Sequence, residues 1–352
     1  MPTPDDWSAA VAAGLVDRAG AERLAAFFAA RERAEFAGDA EAVRFVRGFH
    51  DVFLAIGVAI LVFGVGFAAM LVAGIPIGTI VPAAAAWGLA EVFTRRRRLV
   101  LPSIVLAAAF TAAAGLTVAT LYALGLELAT PGSSDLPADW SEGAVGLSGA
   151  AGAIVGALAF FARFRLPFAL GAAALSAAVM VLIGLLWWGA GDDVFSLVTL
   201  ATGLAVFALA MVFDLEDPGR SGLGSDNAFW LHLVAAPVIV YAAIGLFGIE
   251  SRFDLGLEDA LVVVGIVVAL GLVALAVDRR ALLVAGLGYL GFAIGRLIAA
   301  TELTSETIVA ATLVVLGLVM VALGSGWQPA RRGVLRLLPA GLRARLPPVH
   351  PA

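Results

Sequence analysis

Residues 52–73 read VFLAIGVAILVFGVGFAAMLVA, an apolar stretch without a charged side chain. A run of about 20 such residues crosses a hydrocarbon core roughly 30 Å thick as an α-helix. Further apolar runs follow at short intervals, at residues 75–94, 99–125, 144–162, 166–188, 193–213, 228–249, 258–277, 281–300 and 305–324. The sequence therefore predicts an all-α fold, a polytopic transmembrane helix bundle of about ten spans.

The composition supports a membrane protein and excludes several classes of site. Hydrophobic residues make up 62% of the 352 residues, charged residues only 14%, and the mean hydropathy is +1.01. A soluble chain of this length needs more charge to cover its surface. The chain has no cysteine, which excludes disulfides, thiol catalysis, iron–sulfur clusters and cysteine-based zinc sites.

The chain divides into three predicted regions. Residues 1–50 form a small cytoplasmic helical hairpin, with Gly14 ending its first helix and Asp17 capping a second helix that runs from about Arg18 to Phe36. Residues 51–325 form the ten-helix bundle. Residues 326–352 form a basic interfacial tail that Pro339 breaks into two pieces. Leucines alternate with arginines in this tail, which predicts contact with anionic lipid headgroups and no nucleic-acid binding.

The distribution of arginine predicts the orientation. With the N-terminus in the cytoplasm and ten spans, all of the 22 arginines except Arg252 and Arg296 fall on the cytoplasmic side. Cytoplasmic loops of membrane proteins carry an excess of basic residues. We therefore expect a multi-pass membrane protein with both termini in the cytoplasm.

The seventh run contains the best candidate for a polar site. His232 lies at its inner end, and Pro237 and Tyr241 follow one or two turns deeper. Because proline lacks an N–H, it frees a backbone carbonyl about one turn earlier. One interpretation is a polar path along this helix. The other is an interfacial aromatic belt with a packing kink.

A second group of titratable residues lies near the inner ends of the first two spans. Glu91 is either a proton-titrating carboxylate or the interfacial partner of Arg95, four residues later. His50 and Asp51 lie at a similar depth. If spans one, two and seven adjoin, His50, Asp51, Glu91 and His232 form one titratable cluster for proton relay.

The ninth run contains an intramembrane arginine and several glycines. Arg296 is either a functional charge or an anchor that snorkels outward to Glu302. Gly291 and Gly295 predict a close helix–helix contact. Tyr289, in the same run, is a candidate for lining a solute path.

Catalytic signatures are missing from the sequence. It has no HExxH, GxSxG or Walker motif, and its three histidines are scattered along the chain. We therefore predict no cofactor and no metal, and an enzyme is disfavoured.

The N-terminal part of the chain resembles a known family. The residues that carry the resemblance are Trp7, the stretch Ala13-Gly14-Leu15-Val16-Asp17, the stretch Ala21-Glu22-Arg23-Leu24 with Phe27, and Trp87-Gly88-Leu89-Ala90-Glu91 leading into arginines. Over roughly the first 100 residues this pattern is similar to domain-of-unknown-function family 2157 of bacterial membrane proteins. The resemblance implies a bacterial inner-membrane location. It indicates no particular substrate, reaction or site residues.

The sequence leaves two main functional hypotheses and a third that it favours less. The first hypothesis is a small-solute or ion transporter or channel, with proton coupling as an option, because ten spans divide into two sets of five that permit an inverted repeat. The alternative is a non-transporting scaffold, sensor or assembly factor that binds a cytoplasmic protein through residues 1–50. The third is an intramembrane lipid enzyme with His232 and Glu91 as acid and base.

Overall fold

The computed structural model describes residues 7, 11–38, 49–129, 138–216, 220, 222–249, 256–299, 304–343 and 346. Every regular element within these residues is a helix. The chain divides into two compact units, residues 1–42 with 348–352, and residues 43–347.

The first unit contains one long helix, α1, at Arg18–Gly38. Asp17 caps this helix, because its Oδ1 accepts a 2.9 Å hydrogen bond from the backbone N–H of Gly20. The preceding turn ends at Gly14, which has a φ of 66°. The rings of Trp7 and Phe28 lie 6.1 Å apart. The predicted Asp17 cap is confirmed, whereas most of the first helix of the predicted hairpin lies outside the described residues.

The second unit consists of long apolar helices. Among the described residues, eight helices are long and apolar enough to cross a membrane, so the chain is a helical membrane protein. The elements of this unit are α2 (Phe49–Ala90), a π-helical turn (Glu91–Arg96), α3 (Val100–Ala129), α4 (Ala138–Phe164), α5 (Pro167–Trp188), α6 (Asp192–Glu216), α7 (Leu223–Leu246), α8 (Leu257–Val277), α9 (Ala281–Ala299), α10 (Ser305–Leu337) and α11 (Ala340–Arg343).

Helix α2 reverses direction at Gly74, which has φ 81° and ψ 178°. A Cβ atom placed on Gly66 would lie 3.0 Å from Cγ of Pro82, and one placed on Gly78 would lie 2.5 Å from Cβ of Met70. In one continuous helix, residues 66 and 82 would be about 24 Å apart. Helix α2 is therefore a hairpin of two antiparallel legs, residues 49–73 and 75–90.

Two buried apolar clusters organise the bundle. Helices α2 to α5 pack in chain order around the first, which contains Val58, Val62, Ala86, Ala90, Leu106, Ala107, Phe160 and Ala169. Helices α7 to α10 surround the second, which contains Ala236, Val240, Ile244, Ile249, Ala260, Val263, Leu270, Ala274, Leu275, Leu282, Ala293 and Trp327. Helix α5 joins the two halves by packing on α6 and α7.

Small residues bring the helices close together, as is usual in membrane bundles. A Cβ on Gly152 of α4 would lie 2.6 Å from Cβ of Val118 on α3. In α9, a Cβ on Gly291 would lie 3.2 Å from Leu316, and one on Gly295 would lie 3.3 Å from Oγ1 of Thr312. The predicted close contact through Gly291 and Gly295 is confirmed, and its partner is α10.

The turns at the two ends of the bundle differ in the residues that adopt positive φ. At the arginine-rich end, Arg98, Arg165, Arg220 and Asp278 have φ values of 51°, 53°, 51° and 61°. At the opposite end, glycine occupies such positions, at Gly74, Gly189 and Gly248. Side chains other than glycine raise the energy of this conformation, so the first set is a place to look for side-chain contacts that offset the strain.

Helix α10 differs from the prediction for the tail. From the sequence, the last span is predicted to end at residue 324, and a separate helical segment of the tail is predicted to begin near Gln328. The structure instead continues one helix from Ser305 to Leu337 across Pro329. Trp327, Arg331 and Leu335 recur every fourth residue and are buried. This stripe faces the bundle rather than the lipid headgroups. The predicted break at Pro339 agrees with the end of α10.

Candidate functional site

A buried aspartate at the end of α6 binds one residue of α7 and one residue of the turn between α8 and α9. Asp214 accepts hydrogen bonds from Arg279, at 3.0 and 3.2 Å from Nε and also from a terminal guanidinium nitrogen. Its Oδ2 also lies 2.9 Å from Nε2 of His232 on α7. The side chains of Asp214 and Arg279 are 2% and 1% exposed. An ion pair this deeply buried is stable only when its remaining hydrogen-bonding groups are satisfied.

Serine at the start of α7 completes the shell of Arg279. The guanidinium donates to the hydroxyl of Ser225 at 3.0 Å and to its backbone carbonyl at 3.2 Å. Arg279 lies in the short turn between α8 and α9. One guanidinium therefore connects α6, the start of α7 and the α8–α9 turn.

A second buried aspartate lies next to Arg279 in the chain. Asp278 binds Arg220 at 3.3 Å and Arg331 at 3.6 Å, and accepts a 2.7 Å hydrogen bond from Nε1 of Trp327. Arg220 also donates to the backbone carbonyls of Val277 and Asp278, both at 2.8 Å. These bonds provide hydrogen-bond donors for the carbonyls at the C-terminus of α8, which have no partner within the helix.

These residues form one group, which we call the C-terminal ion cluster: Asp214, Arg220, Ser225, His232, Asp278, Arg279, Trp327 and Arg331. The cluster connects α6, α7, the α8–α9 turn and α10. Asp278 and Arg220 are two of the four strained residues at this end, and their side chains explain why these positions are not glycine. The positive φ of Asp278 directs one carboxylate towards two arginines and a tryptophan.

His232 is the member of the cluster with proton chemistry. Its side chain is fully buried, and Nδ1 has no hydrogen-bond partner among the residues that the structure describes. Its ring lies 5.1 Å from that of Phe207 on α6. A neutral imidazole that donates from Nε2 to Asp214 leaves only a lone pair on Nδ1, whereas an imidazolium would leave a buried N–H. The geometry therefore favours the neutral form as a donor to Asp214.

The face of α7 beyond His232 is closed to solvent. Ala236 and Val240 have no exposed surface, and Ile244 is 1% exposed. With His232 these residues form a stripe at intervals of four. Tyr241 is half-buried, and its ring lies 6.4 Å from that of Phe195. Along the face of α7 that contains His232, packed apolar side chains therefore occupy the place of the predicted polar path.

Glu91 belongs to a different site. Its carboxylate binds Arg95 at 3.2 Å, as the i, i+4 spacing predicts, and also Arg163 of α4 at 2.8 Å. The Glu91 side chain is 30% exposed. An ion pair at such an exposed position contributes little to stability. Of the two sequence interpretations, this geometry agrees with the interfacial one.

The structure does not bring the four predicted titratable residues together. His50 is exposed and Asp51 is buried, both in the first turn of α2. Helix α2 packs on α3, whereas α7 packs on α5, α6, α8 and α9. The condition that spans one, two and seven adjoin is therefore not met within the described helices, and the partners of His232 are Asp214 and the arginines instead.

The remaining candidates lie in α9. Tyr289 packs against the second apolar cluster. Arg296 is partly buried near the end of the helix, and its predicted partner Glu302 lies outside the described residues. Among the described residues, no group of three or more His, Asp or Glu side chains is arranged to hold a metal ion.

Of the cluster, His232 is the residue that the sequence predicts as a site candidate. The arginine distribution places Arg220, Arg279 and Arg331 at the cytoplasmic side as orienting charges, and no sequence motif marks Asp214 or Asp278. Acidic residues at the arginine-rich ends of two apolar runs were the available signal, because basic residues normally dominate there. Comparison with protein-family models, with curated proteins and with solved structures finds no match. The resemblance to family 2157 stays a prediction.

Proposed function

We propose that this chain is a non-transporting scaffold or assembly factor of the bacterial inner membrane, with about ten spans. The span count is supported by the eight apolar helices, by the reversal of α2 at Gly74 and by the apolar helix α9. The proposed orientation places the arginine-rich end in the cytoplasm, in accord with the charge distribution of membrane proteins.

The closed face of α7 is the observation that carries this proposal. A transporter for ions or solutes needs a hydrated path towards the middle of the membrane. The stripe from His232 to Ile244 has almost no accessible surface. A second argument is that the helix contacts lack two-fold symmetry: α5 packs on α7, whereas α10 packs on α8 and α9. An inverted repeat would pair α10 with the second leg of α2.

The first unit supplies a surface for a protein partner. Leu24 and Phe27 lie one turn apart on α1, and their exposed fractions are 38% and 58%. Helical faces of this kind bind hydrophobic grooves of other proteins. Glu22 lies on the opposite face of the same helix. The proposed scaffold binds its cytoplasmic partner through the face that contains Leu24 and Phe27.

Cysteine labelling tests whether a hydrated path exists. The chain has no cysteine, so each single-cysteine variant carries one thiol. We expect Ala178→Cys, Ala236→Cys and Ala293→Cys, all buried near the middle of their helices, to resist a membrane-impermeant maleimide applied from either side. The exposed position Arg97→Cys is the positive control and also reports the orientation. Labelling of any of the three buried thiols in folded protein would overturn the proposal.

Site-specific photocrosslinking tests the docking face. A photoreactive amino acid at Leu24 in the full-length chain should yield one discrete adduct in cells, and the same residue at Glu22 should yield none. Adding Phe27→Asp should abolish the adduct at Leu24 without changing protein level. Equal adducts from Leu24 and Glu22, or no adduct at Leu24, would contradict a partner at this face.

One observation favours a transporter as the second candidate. The C-terminal ion cluster connects three helices and a turn at one end of the bundle. In a transporter, a gate made of ion pairs closes the solute path at such an end. In this alternative, breaking the pairs around Asp214 opens the cytoplasmic side. Proton flux into proteoliposomes, compared for wild type and His232→Ala, tests it. Flux at the level of protein-free liposomes in both would remove the alternative in its proton-coupled form.

A further inference from the structure

Six arginines lie at two turns of the N-terminal half of the bundle. They are Arg95, Arg96, Arg97 and Arg98, after the second leg of α2, Arg163 in the last turn of α4, and Arg165 between α4 and α5. We call them the arginine patch. Glu91 is the one acidic residue of the chain between Asp51 and Glu127. The patch therefore has a large excess of positive charge.

Glu91 brings the two turns together. Its two carboxylate oxygens bind Arg95 of the π-helical turn and Arg163 of α4, at 3.2 and 2.8 Å. Beneath them, the ring of Trp87 lies 5.2 Å from that of Phe164. The two arginine-bearing turns are therefore neighbours on a rigid aromatic base.

The arginines of the patch are accessible to solvent. All six are exposed. In the part of the chain that the structure describes, the side chains of Arg96, Arg97 and Arg98 make no hydrogen bond or ion pair. The guanidinium carbon of Arg165 lies 5.8 Å from the ring centroid of Phe161. Like charges held close together without internal partners repel one another, and an external anion would relieve this repulsion.

Backbone conformation distinguishes the patch from ordinary loop charge. Arg98 and Arg165 have φ values of 51° and 53°, a conformation in which glycine carries no strain. At Arg220 and Asp278, the same strain coincides with buried ion pairs. At Arg98 and Arg165, no ion pair within the described residues offsets it. The contrast points to a ligand outside the protein.

We propose that the arginine patch binds the phosphate groups of anionic phospholipids. Guanidinium groups match phosphate oxygens geometrically and bind them in pairs. The patch lies at the ends of apolar helices, beside the exposed apolar residue Val92, which places it at the depth of lipid headgroups rather than free in solution. Acyl chains of the bound lipid then lie along the exposed surface of α2. The inference is independent of whether the bundle is a scaffold or a transporter.

Native mass spectrometry of the full chain from mixed micelles tests the proposal. The probes are phosphatidylglycerol and the zwitterionic phosphatidylcholine. Two triple variants each remove three positive charges. The patch variant combines Arg97→Gln with Arg98→Gly and Arg165→Gly, and the control variant combines Arg332→Gln with Arg336→Gln and Arg343→Gln. Arg95 and Arg163 are kept because they bind Glu91, and glycine suits the two positive-φ positions.

We expect the patch variant to lose at least about tenfold in apparent affinity for phosphatidylglycerol, since each surface arginine contributes a few-fold. The control variant removes arginines of the tail, which is predicted to meet anionic headgroups, so it should lose clearly less affinity than the patch variant. Neither variant should change in phosphatidylcholine binding. Equal losses in the two variants, or none in the patch variant, would overturn the proposal. So would displacement of phosphatidylglycerol by an RNA oligonucleotide at the same charge concentration. An unchanged unfolding transition in zwitterionic micelles shows that the patch variant is folded.

Discussion

Removing the carboxylate of Asp214 should destabilise the protein more than removing any exposed charge. Asp214→Ala takes away every hydrogen bond that Arg279 makes to a carboxylate, and the only one that His232 makes in the described structure. A guanidinium with 1% of its side chain exposed is left without a counter-ion. Breaking a buried pair in this way costs about 3–5 kcal/mol. The bonds from Arg279 to Ser225 remain, so we expect about 3 kcal/mol.

Glu91→Gln is the matched control. It removes an acid that also binds two arginines, but Glu91 is 30% exposed and Arg95 is 59% exposed. Water and salt screen such a pair, and its loss costs about 1 kcal/mol or less. Both variants therefore remove one negative charge, and the main difference between them is the burial of the acidic side chain that is replaced.

The assay is unfolding of the full chain in mixed micelles by a denaturing detergent, followed by circular dichroism and tryptophan fluorescence. The double variant Asp214→Ala with Arg279→Met provides a further test. Because it removes the buried cation as well, it should be more stable than the sum of the single changes predicts, by about 2 kcal/mol. The reasoning is refuted if Asp214→Ala costs no more than Glu91→Gln, or if the double variant is simply additive.

Three further substitutions test contacts within the bundle. Trp327→Phe should cost about 1.5–3 kcal/mol in the same assay, because it removes the hydrogen bond to the carboxylate of Asp278; an unchanged midpoint would contradict that bond. Gly78→Ala should destabilise the α2 hairpin, whereas Gly64→Ala, with open space around it, should be neutral; equal effects would disprove the reversal. Gly152→Ala should cost about 1–3 kcal/mol by forcing α3 and α4 apart, measured against the same Gly64→Ala control.

Features that depend on nearby residues were predictable from the sequence. Apolar runs of sufficient length predicted membrane-crossing helices, and Asp17 and Pro339 predicted where helices begin and end. The pairing of Glu91 with Arg95 follows from helical geometry alone. Its second partner, Arg163, is 72 residues away and required the packing of α4 against the π-helical turn.

The C-terminal ion cluster was not predictable in this way. Asp214 is 65 residues from Arg279, and Asp278 is 49 residues from Trp327. No local pattern specifies such pairs, because they depend on how helices pack in three dimensions. The cluster of His50, Asp51, Glu91 and His232 was conditional on spans one, two and seven adjoining, and that condition is not met among the described helices for the same reason: the sequence does not specify which spans adjoin. Hydropathy sets the number and length of spans, but it does not set their neighbours.

The order of the cluster residues along the chain, with Trp327 and Arg331 after the aspartate that they bind, has a consequence for biosynthesis. Asp214 has no cationic partner until Arg279 has left the ribosome, and Asp278 lacks two of its partners until α10 has been made. During that interval, both carboxylates remain hydrated near the membrane surface, because burying an unpaired charge is costly. Helices α6 to α9 therefore stay loosely associated until Trp327 and Arg331 have been made. Without these two residues, Asp278 keeps only its ion pair with Arg220 among the side-chain contacts described above.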